Sequence, residues 1–201
     1  MTVGSGLVVL ASGEGTTLQA LLQSPLRDRI AAVGSDVPGC PALKRALDAG
    51  IETFAVAPGD FATRSDWDQA LLAHLIERRP SWIATAGFMR ILGPDVVHAF
   101  RLRIINIHPS LLPAFPGAHA VRDALQAGVK VTGCTVHFVD EGVDTGPIIA
   151  QEAVDVRPGD TVESLHHRIK AAERSLLIEV LTELTSSARS TGDDMNPGSE
   201  G

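Results

Sequence analysis

A chain of 201 residues, 44% hydrophobic and 20% charged, has room for one domain whose core needs no disulfide or metal staple. Mean hydropathy is +0.14, yet no stretch is long and charge-free enough to span a bilayer, and Met1 to Gly6 lacks the basic start of a signal peptide. A net charge of -7 argues against broad nucleic-acid or membrane-surface binding but not against an anionic small molecule, and two distant cysteines, Cys40 and Cys134, point to a reducing cytoplasm without a metal site.

Leu7-Val8-Val9-Leu10 is a continuous apolar run, as expected of a strand buried on both faces of a parallel sheet. A glycine-rich turn, Gly13 to Thr17, leads into a helix over Leu18 to Leu22 that Ser24-Pro25 stops. Ile30 to Val33 reads as a second strand, Leu43 to Ala49 as a helix closed by Gly50, and Phe54 to Val56 as a third strand. Trp67, Ala70, Leu71, His74 and Leu75 recur at helical spacing before Arg78-Arg79-Pro80, and strands follow at Trp82 to Thr85 and Ile104 to Ile107. Such alternation predicts an α/β fold with a mostly parallel, Rossmann-like sheet flanked by helices.

After Gly128 the pattern turns β-rich. Val131 to Val139 and Ile148 to Val156 pair either as a long hairpin or as neighbours in the main sheet joined by a functional loop. Asp160-Thr161-Val162-Glu163 resembles a capping box. Behind it Leu165, Ile169, Ala172, Leu176, Val180 and Leu184 line one face of a long C-terminal helix. The domain is expected to span residues 1–185, with a polar, disordered tail over 186–201.

Two segments carry chemistry. In Ser12-Gly13-Glu14-Gly15-Thr16-Thr17 the glycines let a ligand approach the backbone, and a helix N-terminus favours an anion. The third glycine of a dinucleotide fingerprint and the Gly-Lys-Ser/Thr of a triphosphate loop are both missing, so a monophosphate fits better. A plain βα turn capped by Thr16 or Thr17 is the alternative. In Ile104-Ile105-Asn106-Ile107-His108-Pro109 the period of two puts Asn106 and His108 on one face at a strand end, where α/β sheets hold ligands. An amide donor beside an imidazole suits an oxyanion forming on a carbonyl under attack, unless the pair is merely a satisfied core couple. Pro109, Pro113 and Pro116 stiffen the following loop, and Asp144 offers a carboxylate that would favour the imidazolium. No serine or cysteine elbow and no metal-ligand cluster supplies a nucleophile, so one substrate is expected to attack the other.

Ser12 to Gln19, Ala86-Gly87-Phe88-Met89-Arg90-Ile91-Leu92, Asn106-Ile107-His108-Pro109-Ser110-Leu111-Leu112-Pro113 and Asp144-Thr145-Gly146-Pro147-Ile148-Ile149 occur in this order. Together they resemble the folate-dependent formyltransferases, and the first loop narrows the resemblance to the glycinamide ribonucleotide branch, over residues 7–185. The resemblance implies a single-domain formyltransferase fold. It implies attack of the glycinamide ribonucleotide amine on 10-formyltetrahydrofolate, a co-substrate, with no metal. Asn106 and His108 would hold the oxyanion while Asp144 keeps His108 charged. Gly15, Thr16 and Thr17 would take the phosphate, Glu173 the ribose hydroxyls, and Lys170 would reach the phosphate. The family often has Ser-Asn at Thr16-Thr17, which puts a side-chain phosphate contact in doubt. Glu173 also reads as a helix-edge charge paired with Lys170. Met89, Arg90, Ile91 and Leu92 would recognise the pterin through their backbone, with Asp140, Glu141, Gly142 and Val143 covering the same pocket. Thr145 replaces a frequent glycine and would restrict that loop. Arg64 would lie near the substrate junction, or else be a solvated helix-start arginine. His119 and His137 are read as supporting or structural.

The partners implied are small molecules, neither nucleic acid nor membrane, and a homodimer is left open. A formyltetrahydrofolate deformylase shares the trio but usually carries an N-terminal regulatory domain, whereas the first strand here begins at Leu7. Methionyl-tRNA formyltransferase would need a further C-terminal domain and a basic RNA face. A non-catalytic nucleotide-binding module with this fold is the remaining alternative.

Overall fold

The computed structural model describes residues 6–190. The strands are β1 (Leu7–Leu10), β2 (Ile30–Ser35), β3 (Glu52–Ala55), β4 (Trp82–Thr85), β5 (Ile104–His108), β6 (Val131–Phe138) and β7 (Ile148–Asp155). They form one sheet in the order β3-β2-β1-β4-β5-β6-β7. The five strands from β3 to β5 run parallel, while β6 and β7 are antiparallel to their neighbours. The two alternatives for the β-rich stretch therefore merge: β6 and β7 are an antiparallel pair and also the far edge of the main sheet.

Period-two alternation explains the layers. Leu7 and Val9 enter one core with Leu18, Leu21, Ala42, Ile105, Leu165 and Leu177. Val8 and Leu10 enter the other with Phe54, Trp67, Leu71, Ile83 and Val96. All four β1 side chains are fully buried, each contributing about 2 kcal/mol of apolar burial. Helices α1 (Thr16–Leu22), α2 (Pro41–Asp48) and the long α6 (Val162–Ser190) cover the first face. Helices α3 (Arg64–Arg78) and α4 (Pro94–Ala99) cover the second. Helix α5 (Ala120–Gln126) adds Val121 to the first core.

Several boundaries move. β2 runs on to Ser35, α2 starts at Pro41, and β3 begins at Glu52. Helices α4 and α5, with 6 and 7 residues, are too short to leave a periodic signal. The box opening α6 is Thr161 with Ser164, whose hydroxyl and backbone groups bond reciprocally, one step on from Asp160 and Glu163. Asp160 instead holds Arg168, which keeps its carboxyl well below the usual range. Helix α6 continues to Ser190, past the expected boundary at residue 186, and the rest of the proposed tail, 191–201, lies outside the described residues.

From β1 the chain builds β2 and β3 on one side, then crosses back through α3 to lay β4 on the other side of β1. The crevice at the carboxyl ends of β1 and β4 is the switch point where such sheets bind ligands. The glycine-rich turn follows β1, residues 86–92 follow β4, and His108 ends β5.

Candidate active site

Asn106 and His108 occupy the carboxyl end of β5, as the strand period requires. Asp144 comes from the β6–β7 loop, held by a left-handed backbone (φ 56) that aspartate tolerates better than most residues. His108 Nδ1 lies 3.2 Å from Asp144 Oδ2, with both side chains nearly buried. Asp144 Oδ2 also accepts the Gly117 amide at 2.8 Å, which ties the carboxylate to the loop after β5. His108 Nε2 donates to the Phe115 carbonyl at 2.9 Å. Both ring nitrogens thus face oxygen acceptors.

Asn106 is half-buried, and its Oδ1 accepts the Thr85 hydroxyl at 2.7 Å. Its Nδ2 lies 3.1 Å from Nε2 of His137, which the β5–β6 register places directly opposite. His137 Nδ1 donates to the Phe138 carbonyl at 2.8 Å, and its Nε2 stands 3.6 Å from Asp144 Oδ1. A register shift beside it leaves Ile149 as the extra residue on β7, while the β5–β6 pairing at His137 stays regular. The adjacent His137 ring is the main cause that holds the Asp144 carboxyl below the usual range. The Gly117 amide and the charges of His108 and His137 add to it, against an opposing rise from burial. The expectation for His137 as a supporting residue becomes specific: it touches both Asn106 and Asp144. His119 stands exposed at the start of α5.

The glycine-rich turn differs from one of its two expected forms. Gly15, not Thr16 or Thr17, caps α1, with φ 66 and no side chain on the first-turn amides. A Cβ at Gly15 would stand 2.8 Å from the Cα of Ala42, so both conformation and space demand glycine. Arg45 props the turn through the Glu14 carbonyl (2.8 Å) and Gln19 (3.0 Å).

Glu173 is not the helix-edge charge considered above. It lies 8% exposed between Ile169 and Leu177 on the buried face of α6, and no ion pair joins it to Lys170 among the described residues. Burial pushes its carboxyl up to about 7, with the charges of Lys170 and Arg174 opposing. Lys170 is half-buried, and no contact among the described residues joins it to the turn Gly15–Thr17.

In the segment after β4, Met89, Arg90 and Ile91 are exposed, whereas the Leu92 side chain enters the second core, leaving only its backbone for a ligand. Arg64 is far from free: it pairs with Asp68 at 2.9 Å, lies over Trp67 and donates to the Ile91 carbonyl. The opposite wall is the β6–β7 loop. Asp140 accepts the Gly142 amide at 3.1 Å and the Thr145 hydroxyl at 2.7 Å, so Thr145 does restrict the loop. Glu141 reaches His98 of α4 at 2.7 Å, and Val143 is exposed. Among the described residues no group of three or more His, Cys, Asp or Glu could hold a metal ion.

A Rossmann-like sheet with an Asn–His–Asp trio at a strand end, between an open glycine turn and an exposed segment, is the architecture of a group-transfer enzyme. Residues 6–181 match the formyl transferase family. A phosphoribosylglycinamide formyltransferase of Mycobacterium tuberculosis is 50% identical over 181 residues, 89% of this chain and 84% of that protein. One from Bacillus subtilis is 42% identical over 88% of this chain and 92% of its own length. The solved glycinamide ribonucleotide transformylase 1 of Symbiobacterium toebii superposes with a TM-score of 0.87 at 44% identity, covering 92% of this chain and 90% of that one. The chain belongs to the formyl transferase family and, within it, to the phosphoribosylglycinamide formyltransferases of purine biosynthesis.

Proposed function

We propose that the chain moves the formyl group of 10-formyltetrahydrofolate to the primary amine of glycinamide ribonucleotide in the cytoplasm. The observation that carries this reading is the closed network at the end of β5. Thr85 and His137 orient Asn106, while Asp144 and the Phe115 carbonyl hold the two ring nitrogens of His108. The ribonucleotide phosphate lies on the bare amides of Gly15, Thr16 and Thr17, with Lys170 contributing charge at longer range, and Glu173 meets the ribose hydroxyls. The pterin lies between the backbone of Met89 to Leu92 and the loop Asp140 to Val143, with Arg64 holding the first wall.

The amine lone pair attacks the formyl carbon, and the C=O π electrons move onto oxygen. Asn106 Nδ2–H and His108 Nε2–H donate to that oxyanion, which, fully charged, competes successfully with the Phe115 carbonyl. Asp144 stays ionised opposite His108, so a carboxylate faces the ring throughout the step. Collapse re-forms the C=O bond and breaks the bond to the folate N10, which takes up a proton released by the amine. No covalent enzyme adduct is needed.

Tetrahydrofolate release is followed with and without glycinamide ribonucleotide. Strict dependence on the ribonucleotide supports the transferase. Release without it would make the protein a deformylase, and no release in either mixture would leave a binding module.

A further inference from the structure

Asp36, the residue after β2, presents a carboxylate at a strand end facing the crevice, yet its side chain is only 2% exposed. Its own place is rigid. The Ser35 carbonyl accepts the Val56 amide at 2.9 Å, and the Ser35 hydroxyl accepts the Val37 amide at 3.0 Å. Both bonds made by the carboxylate lead away from the core. Oδ1 accepts the Ser12 hydroxyl of the glycine-rich turn, and Oδ2 accepts Arg90 Nε at 2.7 Å from the segment after β4. Ser12 completes the bridge: its Oγ accepts the Met89 amide at 2.8 Å, and its own amide donates to the Gly87 carbonyl at 3.1 Å. The strand order makes this possible, because β1 lies between β2 and β4 and the loops at their carboxyl ends meet over it.

We infer that Asp36 is a positioning residue for both substrates: one buried carboxylate sets the nucleotide turn through Ser12 and the folate segment through Arg90. The inference rests on the assignment of those two segments in the proposed function. The chemistry of the bridge gives the two arms different strengths. Arg90 to Asp36 is a charge-assisted bond to a carboxylate sheltered from water, and breaking it frees a half-exposed arginine to reorient together with the backbone of residues 89–92. Ser12 to Asp36 is a hydroxyl bond that an amide oxygen at position 36 can still accept. Asp36→Asn therefore damages the folate arm more than the nucleotide arm, while Asp36→Ala removes both. Neither change touches Asn106, His108 or Asp144, so the loss falls on KM rather than kcat.

The test is steady-state kinetics on the full chain, with both substrates varied. Asp36→Asn is expected to raise the KM for 10-formyltetrahydrofolate about tenfold and that for glycinamide ribonucleotide about threefold or less, with kcat within about twofold of wild type. In an Arg90→Gln background Asp36→Asn adds nothing further to the folate KM. In a Ser12→Ala background Asp36→Ala adds nothing further to the ribonucleotide KM. Arg90→Gln and Ser12→Ala alone probe the same bridge from its exposed ends if the Asp36 variants do not fold. Full multiplication of the effects in both backgrounds, or unchanged KM values in all single variants of a competent enzyme, overturns the inference alone. A wild-type protein without ribonucleotide-dependent turnover overturns the substrate assignment and the inference together.

Discussion

The end of β5 and the turn after β1 solve opposite problems within one crevice. At the first, His108 and His137 are buried, Asp144 is nearly so, and each is held by a neighbouring side chain or by backbone. At the second, Gly15 opens α1 with no side chain on its amides. A group that must stabilise charge as it develops gains from being held before the reaction, when reorganisation costs nothing. A group that must receive a substrate gains from donors left unpaired until it arrives.

Disturbing each region separates these roles. His108→Ala should lower kcat by about a thousandfold or more, with the ribonucleotide Kd changed less than about threefold by calorimetry. A comparable loss of binding would mean that the strand end also builds the nucleotide site. Gly15→Ala should act the other way. Its Cβ meets the Ala42 backbone and its φ is unfavourable, so the ribonucleotide KM should rise about tenfold and stability fall by about 1–3 kcal/mol, read by urea unfolding. A kcat loss at unchanged KM would contradict the comparison.

Glu173→Gln comes last because its effect is confined to a pH window. The folded carboxyl titrates near 7, above the unfolded value, so between about 4.5 and 7 the folded state binds more protons and stability falls as pH rises. The loss amounts to about 3 kcal/mol at most and levels off above pH 7. The glutamine variant should show a flatter profile of melting temperature over that window, and an unchanged slope would assign the titration to another group. Asp144 has the opposite sign: its folded pKa is depressed, so its stabilisation is present at neutral pH and is lost only as pH falls below the ordinary carboxylate range.

Local chemistry was legible where one segment carries its own answer. The apolar run at β1, the helical spacing from Trp67 to Leu75 and the i, i+2 placement of Asn106 and His108 depend only on chain periodicity. The glycine-bounded loop after β6 offered Asp144 as the carboxylate for His108, and the family resemblance gave the trio its reaction. The tertiary fold decided what joins distant segments. His137 faces Asn106 because β6 pairs antiparallel with β5 in one register, and a single-residue slip would turn its ring to the other face. Glu173 is buried because α6 lies across the first core, although four-residue spacing alone reads as a helix edge. Ser12, Asp36 and Arg90 meet only because β1 is flanked by β2 and β4. Sequence period determined which face each residue takes along its own element, and the sheet order determined which faces meet, since hydrogen-bonded register is a property of pairs of segments.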